Sequence, residues 1–459
     1  MSARIMIAGT GSGSGKTTVT CAVIAALIDL EKQVVSYKCG PDYIDPMFHA
    51  KTSGVAALNL DIFLMGEEGV NYSLQRHQDD FDIAVIEGVM GLYDGQSDTS
   101  YASSNHVSLL TGTPVVLVVN PSGMGLSVCA FISGYLGFAE NNIKAVLLNK
   151  VRPSSYPYYK QMIEDNLGIP VIGYLPQVPG AEISSRQLGL VSAEEIIDIK
   201  EKIKALGDQA LLSIDFPALL GIASQAEALP RDAGPHVASA DEHSADLPPA
   251  KIYIANDQAF CFYYQENHEL LESLGAKVEF FSPLIDSQLP EDADGLVLWG
   301  GYPELYAGQL QANESLRESI KAAIGKGLPV YAECGGFAYL HERLVDQGQG
   351  MYQMLGVLPG TVRITDTLQD FGYFALTAQS DNMLCPAGTT FNAHFFHYSH
   401  SDNPGSSFNA VKPDGRSMSC IVAEKNIFAG HQHLHFIGQA NLAASFVSAC
   451  VEYRKGKNG

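Results

Sequence analysis

The chain has 459 residues, too many for one ordinary core, so two or three domains are expected. A hydrophobic content of 46% against 17% charged residues excludes a disordered chain. With 28 basic and 50 acidic residues the formal net charge is −22, which argues against nucleic acid as a partner but leaves room for anionic small molecules held in a local cradle.

Six short apolar runs open the chain: RIMIAG, QVVSYK, DIAVIEG, PVVLVVN, KAVLLNK and PVIGYLP. Helix-length amphipathic stretches, among them Thr17–Asp29 and Ser192–Leu206, lie between or after them. Buried strands alternating with helices predict a doubly wound parallel α/β sheet. Residues Ser224–Ala250 break this rhythm; they are rich in Ala, Pro, Ser, Asp and Glu and read as a linker. A second α/β series follows in KIYIAND, KVEFFSP, GLVLWGG and PVYAECG, and the last hundred or so residues look strand-rich. The expected organisation is therefore a domain over 1–223, a linker over 224–250 and a domain over 251–459.

The first strand runs into GTGSGSGKTT, the setting that a phosphate-binding loop needs. Glycines let backbone amides turn toward phosphate, and the following helix N-terminus adds favourable partial charge. Gly9, Thr10, Gly11, Gly13, Gly15 and Thr18 would form the cradle, Lys16 would reach the outer phosphates, and the Thr17 hydroxyl would ligate Mg²⁺. The strict spacing GxxxxGK[ST] fails by one residue, because Thr10 stands at its first position. Acidic residues stand near predicted strand ends, where α/β sheets bind ligands: Asp42, Asp45, Asp61, Glu87 and Asp94. Taken singly each also suits a cap or turn, except Glu87, which ends an apolar strand directly. Asn149 ends another strand and suits either an adenine edge or a turn.

In the second half, Cys334 follows an apolar strand and precedes two glycines and a probable helix. A thiol on such a turn is exposed, and a helix N-terminus favours its thiolate. Gly300 and Gly301 at another strand end offer backbone donors for an oxyanion. Candidate bases are His431, His433 and His435 in AGHQHLHF and His397 and His400 in FFHYSH. An alternating His-x-His-x-His strand would put three rings on one face, which also suits zinc. The eight cysteines form no CxxC pair, the N-terminus has no leader pattern, and no apolar run approaches about 18 residues. A cytoplasmic protein with no membrane partner is expected.

In order along the chain, GTGSGSGKTT, KCGPDYIDP, NLD, IEGVMGLYDG, GYLP, GGYPEL, YAECGGF, FGY, FHYS and HLHF together resemble the cobyrinic acid a,c-diamide synthase family. Its first domain is similar to dethiobiotin synthetase, whose loop carries the same extra residue; its second resembles class I glutamine amidotransferases. The resemblance implies ATP-dependent activation of a tetrapyrrole carboxylate as an acyl phosphate, with ammonia drawn from glutamine through a Cys334 thioester. His433 would be the base, Thr17, Asp61 and Glu87 the Mg²⁺ ligands, and Asp42, Asp45 and Asp94 would serve substrate activation. Partners would be tetrapyrrole, glutamine and ATP, and a homodimer is allowed. Position 435, where ordinary class I enzymes carry an orienting carboxylate, is histidine, so a Cys–His dyad with weak uncoupled hydrolysis is expected. The chain departs from the family at Gly430–His431 and at Ala393–Phe395. Nickel-sirohydrochlorin or hydrogenobyrinic acid are alternative substrates. A nucleotide switch with an inactive amidotransferase module is a remote one, since no second lysine precedes Lys16 in the loop.

Overall fold

The computed structural model describes residues 3–181, 193–230 and 249–458. The chain divides into two compact units, 1–234 and 235–459. Most of the predicted linker, 231–248, lies outside the described residues.

In the first unit the order is β1 (Ala3–Gly9), α1 (Lys16–Asp29), β2 (Val34–Cys39), α2 (Ile44–Ser53), β3 (Leu58–Leu60), α3 (Ile62–Arg76), β4 (Ile83–Glu87) and α4 (Ser104–Leu110). Then come β5 (Val115–Val119), α5 (Ser127–Gly137), β6 (Ile143–Asn149), α6 (Tyr156–Leu167), β7 (Val171–Leu175), α7 (Ala193–Ser213) and α8 (Phe216–Ala223). The strands make one parallel sheet in the order β3-β2-β4-β1-β5-β6-β7. All six predicted apolar runs are strands, with side chains buried on both faces, as a parallel sheet covered by helices requires. Helix α1 begins one residue earlier than expected, and α7 runs seven residues beyond the predicted Leu206. Because every strand is parallel, the ends of β1, β2, β3, β4 and β6 open on one edge, which collects the phosphate loop and the acidic residues.

The second unit contains β8 (Ala250–Ala255), α9 (Gln265–Ser273), β9 (Ala276–Phe281), β10 (Gly295–Leu298), α10 (Ala307–Ala312), α11 (Glu314–Gly325), β11 (Val330–Glu333) and α12 (Gly335–Leu340). It continues with β12 (His341–Val345), β13 (Met351–Gln353), β14 (Leu358–Ala378), β15 (Thr390–Ser401), β16 (Phe408–Val411) and β17 (Ser417–Cys420). Last are β18 (Val422–Glu424), β19 (Ile427–Gly430), β20 (Gln432–His433) and α13 (Ala440–Asn458). One sheet runs β18-β19-β11-β10-β8-β9, parallel except for the β18–β19 hairpin. A second sheet, β13-β12-β14-β15-β20 with β16 and β17 beside β14, accounts for the strand-rich C-terminal region. Trp299, fully buried against Tyr331 and Phe436, donates its indole N–H to His268 at 2.8 Å. Burial of an aromatic this large contributes about 3 kcal/mol and fixes the end of β10 immediately before Gly300.

Candidate active site: a phosphate loop and a thiol centre

The loop from Thr10 to Gly15 joins β1 to α1, and Gly15 caps the helix with φ 90°. A Cβ on Gly15 would stand 2.0 Å from the Asn149 amide nitrogen, so only glycine fits. Asn149 itself donates to the Ser14 carbonyl at 2.8 Å, tying the end of β6 to the loop. Its amide is thus engaged in holding the loop. Lys16 lays its ammonium across the loop, donating to the carbonyls of Gly11 (3.0 Å) and Met90 (2.6 Å). Burial, then the neighbouring Lys38 charge, lowers its pKa. Thr18 sits half-buried in the first turn of α1.

Five side chains converge behind the loop. The Thr17 hydroxyl lies 2.7 Å from Glu87 Oε1 and 3.2 Å from Asp45 Oδ1. Lys38, the last residue of the QVVSYK run, bridges Asp45 (2.6 Å) and Glu87 (2.8 Å). His49 Nε2 meets the other Glu87 oxygen at 2.6 Å. Burial opposes ionisation of Glu87, but Lys38 and His49 outweigh it and hold its pKa below the usual range; Asp45 is pushed up by burial and by Glu87. Lys38 and His49 were not singled out from sequence: a lysine within an apolar run reads as a solvated side chain, and the histidine of α2 has no motif of its own.

The other acidic candidates stand apart from this cluster. Asp42 Oδ1 accepts the N–H groups of Ile44 and Asp45 and starts α2, while Asn59 of β3 donates to the carbonyls of Gly40 and Asp42. Asp61 caps α3 through Leu64 N–H at 2.9 Å. Asp94 accepts Gly91 N–H at 2.8 Å and closes the turn whose Met90 carbonyl faces Lys16.

In the second unit Cys334 occupies the turn between β11 and α12 with φ 45° and ψ −101°. A non-glycine residue in such a conformation costs about 1–3 kcal/mol and is a frequent mark of a functional turn. Its N–H donates to Gly430 O at 2.8 Å, which ties the turn to β19. The strand ends of β10 and β11 are adjacent, so Gly300 approaches both the thiol and its histidine: a Cβ there would be 3.0 Å from His433 Cε1 and 3.6 Å from Cys334 Cβ. Gly301 follows beside the start of α12, its nitrogen 2.9 Å from where a Gly335 Cβ would be.

His433 is buried and makes side-chain hydrogen bonds to both Cys334 and Glu333. Glu333 Oε2 is 3.3 Å from His433 Nδ1; Oε1 accepts Leu434 N–H (2.9 Å) and Tyr331 O–H (2.5 Å). Burial would lower the His433 pKa, but Cys334 and Glu333 outweigh it and push it up to about 10. The expected single face of histidines is not formed, because β20 is only two residues long. His431 bonds Ser399 Oγ at 3.0 Å and stacks on His397 at 3.8 Å; His435 faces Tyr264 and lies 3.8 Å from Glu266. Among the described residues no group of three or more His, Cys, Asp or Glu is arranged to hold a metal ion. No helix of the described residues is long and apolar enough to cross a membrane.

Both halves match known families. Residues 5–190 match the CobQ/CobB/MinD/ParA nucleotide binding domain, and residues 251–441 match the CobB/CobQ-like glutamine amidotransferase domain. The chain is 38% identical over 454 residues to the cobyrinate a,c-diamide synthase of Clostridium tetani, covering 98% of this chain and 99% of that one. The enzymes of the same name from Thermoplasma volcanium (37% over 456 residues) and Priestia megaterium (36% over 459) are each covered to 98%, as is this chain. The chain belongs to the cobyrinate a,c-diamide synthase family of glutamine-hydrolysing carbon–nitrogen ligases.

Proposed function

We propose that the protein amidates the a- and c-side-chain carboxylates of cobyrinic acid, using ATP and glutamine. The observation that carries this reading is the presence, in one chain with full-length relatives of that name, of a phosphate loop backed by Thr17, Asp45, Glu87 and Lys38 and of a thiol paired with a histidine.

A carboxylate is a poor acyl donor, so an oxygen of the substrate carboxylate attacks the γ-phosphorus of ATP, expelling ADP and leaving an acyl phosphate. Lys16 binds the outer phosphates, and the loop amides hold the chain of phosphates in line. Thr17, Asp45 and Glu87 offer hard oxygen donors close together, the set that would hold Mg²⁺, which when bound neutralises phosphate charge. Asp42, Asp61 and Asp94 stand on the same sheet edge, where the substrate carboxylate would approach.

At the thiol centre, the Cys334 thiolate attacks the side-chain amide carbon of glutamine, with backbone N–H groups of Gly300 and Gly301 assigned to the oxyanion. The protonated His433 gives its proton to the leaving nitrogen, ammonia departs, and water hydrolyses the thioester to glutamate. Ammonia then attacks the acyl phosphate, expels phosphate and leaves the amide.

The test is incubation of the purified protein with Mg-ATP, glutamine and cobyrinic acid, in parallel with nickel-sirohydrochlorin and hydrogenobyrinic acid, followed by mass spectrometry. A mass loss of two carboxyl-to-amide conversions on cobyrinic acid is expected, each lowering the mass by about 1 Da. Amidation of another macrocycle with none on cobyrinic acid would overturn the substrate and keep the chemistry.

A further inference from the structure

We propose that Glu333 is the positioning carboxylate of the glutaminase centre, holding His433 by Nδ1 so that Nε2 faces the Cys334 sulfur. This rests on Cys334 being the glutamine-attacking thiol.

The geometry has three parts. An imidazole has two nitrogens, and the hydrogen bond made by one decides what the other can do. With Glu333 Oε2 3.3 Å from Nδ1, the Nε2 atom is left for the thiol to which His433 is also bonded. The carboxylate is itself immobilised, because Oε1 is held by Leu434 N–H and Tyr331 O–H while Oε2 is the atom turned to the ring. Finally, a carboxylate buried this completely (1% exposed) needs a charge partner, and among the described residues the ion-pair partner of Glu333 is His433.

Adjacent residues of a strand normally point to opposite faces, so Glu333 and Cys334 should not reach the same ring. The left-handed turn at Cys334 removes that restriction: β11 ends at Glu333, and the chain swings the next side chain back toward His433. The position two residues after His433 cannot serve instead. It is His435, whose pKa burial pushes down to about 3, and its ring is turned to Tyr264. The orienting acid is thus supplied from before the nucleophile and not from after the base.

Glu333→Gln keeps the shape and an acceptor for Leu434 N–H while removing the charge. Two measurements are made on the full chain: glutaminase kcat and KM, and the pH dependence of Cys334 alkylation by iodoacetamide. The expected result is a fall of about 100-fold in kcat with KM for glutamine changed less than about three-fold, and an alkylation midpoint moved up from that of the parent protein. A purely packing role would lower kcat without moving the alkylation profile. An alkylation profile superimposable on that of the parent protein overturns the proposal. Should Glu333→Gln fail to fold, Glu333→Asp carries the test: an intermediate kcat and a partial shift support it, and an unmoved profile overturns it. Cys334→Ser separates the two levels. Glutaminase activity surviving that change removes the underlying nucleophile assignment, whereas activity lost in Cys334→Ser with an unmoved profile in Glu333→Gln removes only the positioning role.

Discussion

The Glu333 carboxylate lies 3.3 Å from Nδ1 of His433, with both side chains almost wholly buried. The pair gives stability a defined pH dependence. Burial disfavours the imidazolium, but Cys334 and Glu333 outweigh it, and the folded pKa rises from 6.5 to about 10. A raised folded value means the contribution is fully present below the unfolded pKa and is lost as pH climbs through the folded one. The stability advantage of the parent protein over Glu333→Gln should therefore be constant below about pH 6.5 and narrow between about 6.5 and 10. Urea denaturation at pH 6, 8 and 10 measures it; a gap of constant size over that window would contradict the linkage.

Gly300 makes a second, more local prediction. A Cβ at this position would lie 3.0 Å from His433 Cε1 and 3.3 Å from Phe262 Cβ, neither of which is the loose end of a flexible chain. Gly300→Ala should displace the imidazole by a few tenths of an ångström. Near a reacting centre a full ångström of misplacement costs about 100-fold, so a shift of this size should cost up to about 10-fold in rate. Glutaminase kcat is the readout, and an unchanged value would show that the ring is not held by this contact.

Much of this centre was legible from residue order alone, and its gaps have physical causes. Buried parallel strands announce themselves as apolar runs, so six strands of the first sheet and four of the second were readable; β3, with only the residues LNL, is too short to show a period. The loop and the thiol turn were found because glycines at fixed spacing have few other uses. Glu333 was missed although the signal was present. An acid ending an apolar strand drew attention to Glu87, and VYAE ends in the same way. The His-x-His-x-His reading failed because alternation requires a strand to impose it, and β20 covers only one of the three histidines. Lys38 was invisible for a different reason: Glu87 is distant in sequence and comes within 3 Å only because β2 pairs with β4, while Asp45 reaches the same ammonium from α2.

That buried triad predicts a stability effect. Lys38 is the cation between two carboxylates, and burial of all three leaves no water to take its place. Lys38→Met should cost about 3–5 kcal/mol, the range for removing one partner of a buried pair, and should raise the pKa of the remaining acids. Denaturation followed by circular dichroism at neutral pH would measure the loss. A change below about 1 kcal/mol would mean that the carboxylates are solvated, as exposed pairs are.

Gly15 offers a test in which the two chemistries should part. It holds φ 90°, which a side chain disfavours, and its missing Cβ is what lets the Asn149 amide reach Ser14. Gly15→Ala adds a methyl 2.0 Å from that amide nitrogen. Either Asn149 moves, releasing the loop from β6, or the loop itself shifts; both spoil the array of N–H groups that a phosphate chain needs. ATP binding by calorimetry should weaken by about 100-fold or more, a loss of about 2.7 kcal/mol. Glutamine hydrolysis depends on residues of the other unit, so Gly15→Ala should lose ATP-dependent amidation while its basal glutaminase rate stays within about two-fold of the parent. Nucleotide affinity equal to that of the parent would show that the loop tolerates the displacement, and that the contact between Asn149 and Ser14 is not what shapes it.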